Sequence, residues 1–165
     1  MNTEHDGVEM IGLCHVGMHA RNPAALAEFY RDVMGMQVVG GSDASHPLGA
    51  SAFVSSRPRE ECHEIAIFAN PQFAHNAFKV ASLAALQRFY QKIVQRGIPI
   101  QLQYFHGVSF AFYFPDLEGN MIEVYWPTGL ECPQPHVEPI DLSRPEEELR
   151  ARLKSCGEFS AADRE

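Results

Sequence analysis

A repeat with a period of 60 residues dominates this 165-residue chain. Residues 15–30, HVGMHARNPAALAEFY, fall on residues 75–90, HNAFKVASLAALQRFY. His15/His75, Ala24/Ala84, Ala25/Ala85, Leu26/Leu86, Phe29/Phe89 and Tyr30/Tyr90 are identical pairs. Two unrelated amphipathic helices would share the spacing of their apolar residues. They would not also share a histidine at the same distance upstream. A repeat of this kind means one supersecondary unit used twice.

Each copy reads in the same order. Apolar segments at 11–20 and 75–81 are expected strands. In 24–35 the residues Leu26, Phe29, Tyr30 and Val33 recur at helical spacing, and in 83–96 so do Leu83, Leu86, Phe89, Tyr90 and Ile93. Gly35 and Gly97 stand where helix C-caps fall. Three β-rich stretches follow each helix, at 36–41, 48–56 and 63–69, then at 98–104, 107–115 and 121–126. Asp116 to Asn120 is a turn between the last two. The expected class is α+β, with two βαβββ modules, 11–69 and 74–126, in one domain over 1–126.

Residues 127–165 differ in composition, holding Pro127, Pro133, Pro135, Pro139 and Pro145 of the eleven prolines. The stretch from Pro127 to Pro139 is expected to run extended around the domain. Ser143-Arg144-Pro145-Glu146 reads as a capping box opening a short helix over about 143–154. The last ten residues are expected to be disordered.

Composition narrows the function classes. Thirteen basic against twenty-one acidic residues leave a net charge of −8, which argues against a nucleic-acid surface. No apolar run reaches the ~18 residues of a membrane span, and MNTEHDGVEM lacks a signal pattern, so a cytoplasmic protein is expected. Cys14, Cys62, Cys132 and Cys156 form no C-x-x-C pair. A chain of this size needs no disulfide, and they are read as reduced thiols.

His15 and His75 are expected to start equivalent strands, so a pseudo-twofold pairing of the modules turns both imidazoles into one cavity. Two histidines bind metal weakly, and Glu123 is the candidate third ligand. It lies in Met121-Ile122-Glu123-Val124-Tyr125, on the opposite strand face from Ile122, Val124 and Trp126. A carboxylate buried there must be paired, protonated or metal-bound. Its counterpart in the first module is Ala66, so the site has three ligands where a symmetric one would have four. Two histidines and one carboxylate on one face of an octahedral ion form the triad of non-haem Fe(II) oxygenases.

With these residues in place, the chain resembles the vicinal oxygen chelate superfamily, which includes glyoxalase I and the extradiol dioxygenases. Over residues 11–126 it is most similar to the catalytic domain of type I extradiol catechol dioxygenases. The resemblance implies two βαβββ modules paired into an incomplete barrel around a metal site, with His15, His75 and Glu123 as ligands to Fe(II), or alternatively Mn(II). The segment from His63 to His75 implies the acid–base role for His63. The segment His106-Gly107-Val108-Ser109 through Phe112-Tyr113-Phe114-Pro115-Asp116, Gly119-Asn120 and Glu123 implies a substrate-side role for His106. It also implies a hydrogen-bonding role for Tyr113, ten residues before the metal glutamate. The loop from His106 to Tyr113 is about two residues shorter than in the larger enzymes. The implied partners are a catechol-type aromatic substrate and O₂, with no nucleic acid and no membrane, in a homodimer or higher homo-oligomer. His19 is read as structural, His5, His46 and His136 as surface residues, and Lys79 has no assigned role.

Two other readings stand beside this one. A non-redox lyase or isomerase of glyoxalase or epimerase type commonly carries a fourth protein ligand, and Ala66 counts against it. A non-catalytic binding protein of the same fold usually lacks the metal residues, and this chain keeps all three.

Overall fold

The protein is described here from a computed structural model covering residues 10–156. The expectations for His5 and for the chain beyond Cys156 lie outside the described residues. The first copy of the repeat forms β1 (Met10–His19), α1 (Pro23–Met34), β2 (Gln37–Ser42), β3 (Ser51–Ser55) and β4 (Ile65–Phe68). The second forms β5 (His75–Val80), α2 (Leu83–Gln95), β6 (Leu102–Phe105), β7 (Ser109–Pro115) and β8 (Met121–Pro127). The tail adds β9 (Glu138–Pro139), α3 (Glu146–Ala151) and α4 (Leu153–Cys156). No described helix is long and apolar enough to cross a membrane.

The strands form one mixed sheet in the order β2-β3-β4-β1-β5-β8-β7-β6-β9, curled into a half-barrel. Its register locates the symmetry. β1 runs antiparallel to β5, and Val16 stands opposite Asn76, its own repeat equivalent. A residue paired with its own equivalent lies on the twofold axis, so the axis passes through that pair. The outer pairings repeat about it. Gly17 faces Ala66 in the parallel β1–β4 pair, and Ala77 faces Glu123 in the parallel β5–β8 pair. Phe53 faces Ala66, and Tyr113 faces Glu123, in the next pairs outward.

Local chemistry sets the helix ends alike in both copies. The side chains of Asn22 and Ser82 each accept the backbone N–H three residues on, at 3.1 Å, satisfying an orphan donor of the first turn. Gly35 and Gly97 leave the two helices at φ 71° and 68°, where a Cβ would be strained.

β7 is buried on both faces. Phe110, Phe112 and Phe114 pack under α2, while Ala111 and Tyr113 face the barrel interior. The core under α2 also takes Leu142 and Leu149 from the tail. Leu142 is fully buried. Its N–H donates to Gln103 Oε1 at 2.8 Å, and its carbonyl accepts from Gln87 Nε2 at 3.0 Å. Leu142→Ala is therefore expected to lower stability by about 2–5 kcal/mol, the range for a buried leucine truncation. Urea unfolding at unchanged m-value reads this; a loss below about 1 kcal/mol would place the tail outside the core.

Several sequence expectations are corrected. His15 lies in the middle of β1, not at its start, because Met10 to Leu13 extend the strand along the far end of β5. The equivalent extension of β5 is replaced by a 3-10 turn at Pro71–Phe73. The strand expected at 98–104 begins only at Leu102, beyond Pro99, which has no N–H to donate. The apolar stripe of α1 is only partly buried. Leu26, Ala27 and Tyr30 pack inward, while Phe29 and Val33 are exposed. Their equivalents on α2, Phe89 and Ile93, pack in the cluster that also takes in Leu142 and Leu149 of the tail, and none of the tail's described core residues packs on α1. The capping box does not form. Asp141 Oδ1 accepts both the backbone N–H and the hydroxyl of Ser143, so that hydroxyl is engaged elsewhere and the helix starts at Glu146 with Pro145 as its N-cap.

Candidate metal centre

β1, β5 and β8 are adjacent at the middle of the half-barrel, and each contributes one polar side chain to its interior. His15 Nε2 lies 3.2 Å from His75 Nε2 and 3.1 Å from Glu123 Oε2. His75 Nε2 lies 3.1 Å from the same carboxylate oxygen. The three side chains are almost wholly buried. Two donors bound at ~2.1 Å and at right angles around one ion stand about 3.0 Å apart. The edges of this triangle match that spacing, so the donor set fits a divalent ion with three adjacent positions occupied by protein. Ala66, at the symmetry-related position to Glu123, supplies no fourth donor.

His75 is held by backbone. Its Nδ1–H donates to the Phe73 carbonyl at 2.6 Å, leaving Nε2 free to ligate. Gly17, opposite His75 on β1, makes room for the ring. A Cβ on Gly17 would stand 2.4 Å from His75 Nδ1 and 2.9 Å from the Phe73 oxygen. Gly17→Ala is expected to displace the ring and weaken metal binding by about 10–100-fold, the usual scale for losing a supporting contact. A competitive chelator titration measures it; unchanged affinity would mean that His75 is not a ligand.

The other candidate residues surround this triangle. The His63 ring lies 4.4 Å from that of His15 and 5.2 Å from that of Phe53. Tyr113 Oη donates to His106 Nε2 at 3.0 Å, and His106 Nδ1–H donates to the His136 carbonyl at 2.8 Å. The structure thus brings His15, His75, Glu123, His63, Tyr113 and His106 into one cavity of about 120 Å³, with mostly apolar walls. Phe53, 60 residues before Tyr113, is its symmetry mate on the opposite wall. The tail also reaches the site. Gln134, Pro135 and Val137 line the cavity, and Gln134 Nε2 donates to the His106 carbonyl at 2.8 Å.

Burial and charge set the protonation states. Burial alone would raise the Glu123 carboxyl, but the imidazoles of His15 and His75 outweigh it and hold it well below the usual range. Burial, reinforced by His15, pushes His63 well below an ordinary histidine, so it is neutral at pH 7. Burial, with Glu123 close by, pushes the Tyr113 phenol well above its ordinary value, so it keeps its proton.

His136, expected at the surface, is half-buried; its Nε2 is buried without a hydrogen-bond partner among the described residues, and its carbonyl holds His106. His46 is also half-buried, its Nδ1 accepting the Leu48 N–H within a turn. His19, read as structural, is exposed at the end of β1. Among the described residues, Cys14, Cys62 and Cys132 are in no disulfide.

Residues 12–124 match the family model described as the Glyoxalase/Bleomycin resistance protein/Dioxygenase superfamily. The chain belongs to this superfamily. Biphenyl-2,3-diol 1,2-dioxygenase 3 from Rhodococcus globerulus, a relative, is 28% identical over 124 residues, or 68% of this chain and 61% of that enzyme. The chain thus spans less than two thirds of that relative. The 2,3-dioxygenase LapB from Pseudomonas sp. KL28 superposes with a TM-score of 0.63 at 21% identity, over 82% of this chain and 48% of LapB. Methylmalonyl-CoA epimerase from Mycobacterium tuberculosis does so with a TM-score of 0.54 at 18% identity, over 74% of this chain and 91% of the epimerase. At these identities the likeness to solved structures establishes the superfamily's fold, which serves both redox and non-redox members.

Proposed function

We propose that this superfamily member is a non-haem Fe(II) extradiol dioxygenase that cleaves the ring of a catechol-type substrate with O₂. The observation that carries the reading is the broken symmetry of the site. His15, His75 and Glu123 form a triangle with edges of 3.1–3.2 Å, and Ala66 stands where a fourth ligand would be. Three protein donors leave three adjacent positions, enough for two neighbouring phenolic oxygens and one O₂. Bound there, Fe(II), or alternatively Mn(II), would supply Lewis acidity and a change of oxidation state.

The chain's own residues do the rest. His63, neutral beside the triangle, takes a proton from the substrate and returns it later as the general acid. Tyr113 keeps its proton, and with substrate bound its O–H turns from His106 Nε2 to donate to the reacting oxygen. The apolar walls, closed on one side by Pro135 and Val137, hold the ring and exclude water. Catalysis is assigned to residues 1–126, with 127–165 as an extension whose Gln134, Pro135 and Val137 reach the pocket, in a protein of the reducing cytoplasm.

A non-redox lyase or isomerase is the second reading, favoured by the superposition over nearly the whole of the epimerase. Oxygen consumption separates the two. Anaerobically purified, Fe(II)-loaded protein is expected to consume one O₂ per catechol and yield a yellow ring-opened product with at least one member of a panel of substituted catechols. Zn(II)-loaded protein is expected to do neither, because zinc has no accessible change of oxidation state. No uptake across the panel, together with turnover of a 2-oxoaldehyde adduct or an acyl thioester by Zn(II) or Ni(II) protein, would establish the second reading.

A further inference from the structure

We propose that the buried ion pair between Glu61 and Lys79 is a positioning device: it clamps the loop that carries His63 onto the floor of the barrel and so fixes the acid–base histidine over His15. The inference rests on the reading of His63 as the group that moves the proton.

Residues 56–64 connect β3 to β4, and His63 is the only histidine around the triangle supplied by this connection. Strand-type backbone bonding to β3 and β1 reaches Glu64, so His63 stands one residue outside it. Local bonds shape the loop, among them Ser55 Oγ to the Glu61 carbonyl and Ser56 to Glu64, and ion pairs tie it down on two sides. On the outside, Arg57 pairs with Glu60 and Glu64, at 3.4 and 2.9 Å; the arginine is half exposed, and such pairs hold weakly. On the inside, Glu61 Oε1 pairs with Lys79 Nζ, with side chains 11% and 14% exposed. Tyr125 Oη donates to the other Glu61 oxygen at 3.3 Å.

Lys79 and Tyr125 are well suited to this. They are register partners on β5 and β8, each on the same strand face as a residue of the triangle: Lys79 four residues beyond His75, Tyr125 two beyond Glu123. The Tyr125 ring lies 5.2 Å from His15. The inner clamp therefore joins the loop of the first module to the two strands of the second that carry His75 and Glu123. A buried acid and a buried base that pair only when the loop is seated penalise every unseated position, because either charge alone is poorly solvated there. The pair also accounts for Lys79, a charged residue on an otherwise inward-facing strand position. Its repeat partner His19 is exposed.

The test compares Lys79→Met with the charge-exchanged double variant Glu61→Lys/Lys79→Glu, each alone and in a His63→Ala background. Two measurements are made: kcat and KM for a catechol on Fe(II)-loaded protein, and the rate at which an arginine-specific protease cuts after Arg59 in metal-free protein. Lys79→Met is expected to lower kcat by about 10–10²-fold, the scale of a small misplacement of a catalytic group, with little change in KM. Cleavage after Arg59 is expected to speed up. The charge exchange is expected to restore most of both, and in the His63→Ala background Lys79→Met is expected to have no further effect on kcat.

An equal loss of kcat in both backgrounds would overturn the inference, as would unchanged cleavage in folded Lys79→Met. If Lys79→Met does not fold, the charge-exchanged variant decides: near-normal kcat and protection support the clamp, and a folded variant with low kcat and an open loop overturns it. Normal turnover of His63→Ala itself would instead refute the acid–base assignment, and with it the purpose given to the clamp. The protease rate would still report on whether the pair seats the loop.

Discussion

Glu123→Ala is expected to strip the protein of its metal and lower catechol turnover by on the order of 10³-fold or more. The substitution makes the two halves of the site alike, with alanine at both 66 and 123. Of the three donors only His15 and His75 then remain, a set that holds a divalent ion weakly. The loss follows from the Lewis acidity that leaves with the ion, several kcal/mol at a tenfold rate change per 1.4 kcal/mol. Metal content after dialysis and kcat under air give the two readings. Full iron occupancy in the variant would remove Glu123 from the ligand set.

His63→Ala is expected to behave differently: iron is retained, and turnover falls by about 10²–10⁴-fold, the usual contribution of general acid–base catalysis. The ring lies tilted against that of His15 without belonging to the triangle, so deleting it leaves the three donors in place. The drop should fall on kcat. A variant that loses iron as well would make His63 a structural support of the ligands, and one with near-normal turnover would remove it from the mechanism.

The parts of this site that were legible in the sequence are those fixed by the repeat. A 60-residue offset that pairs Val16 with Asn76 necessarily brings His15 and His75 to one axis, and the next strands then set Ala66 against Glu123. The same offset links Phe53 to Tyr113, a pair related in position though not in identity. What was not legible depends on contacts the repeat does not encode. Gly17 matters only because a ring from the neighbouring strand lies against it. Lys79 finds its partner in a loop of the other module. Phe29 and Val33 are exposed on α1, while Ile93 on α2 is buried in a cluster that also takes in Leu142 and Leu149, residues that follow the second copy. At Ser143, two local acceptor patterns competed, and the nearer aspartate took the hydroxyl.

The axis through Val16 and Asn76 has one more consequence. It divides the donors unevenly, with His15 in the first half of the chain and His75 and Glu123 in the second. An ion held by all three spans that seam as a cross-link spans two strands of rope. Neither half can swing away from the other without giving up a ligand. The free energy of metal uptake is therefore also free energy of association between the halves, added as the logarithm of free metal over its dissociation constant. Loaded protein should open as one unit, and the seam between β1 and β5 is where stripped protein has most to lose.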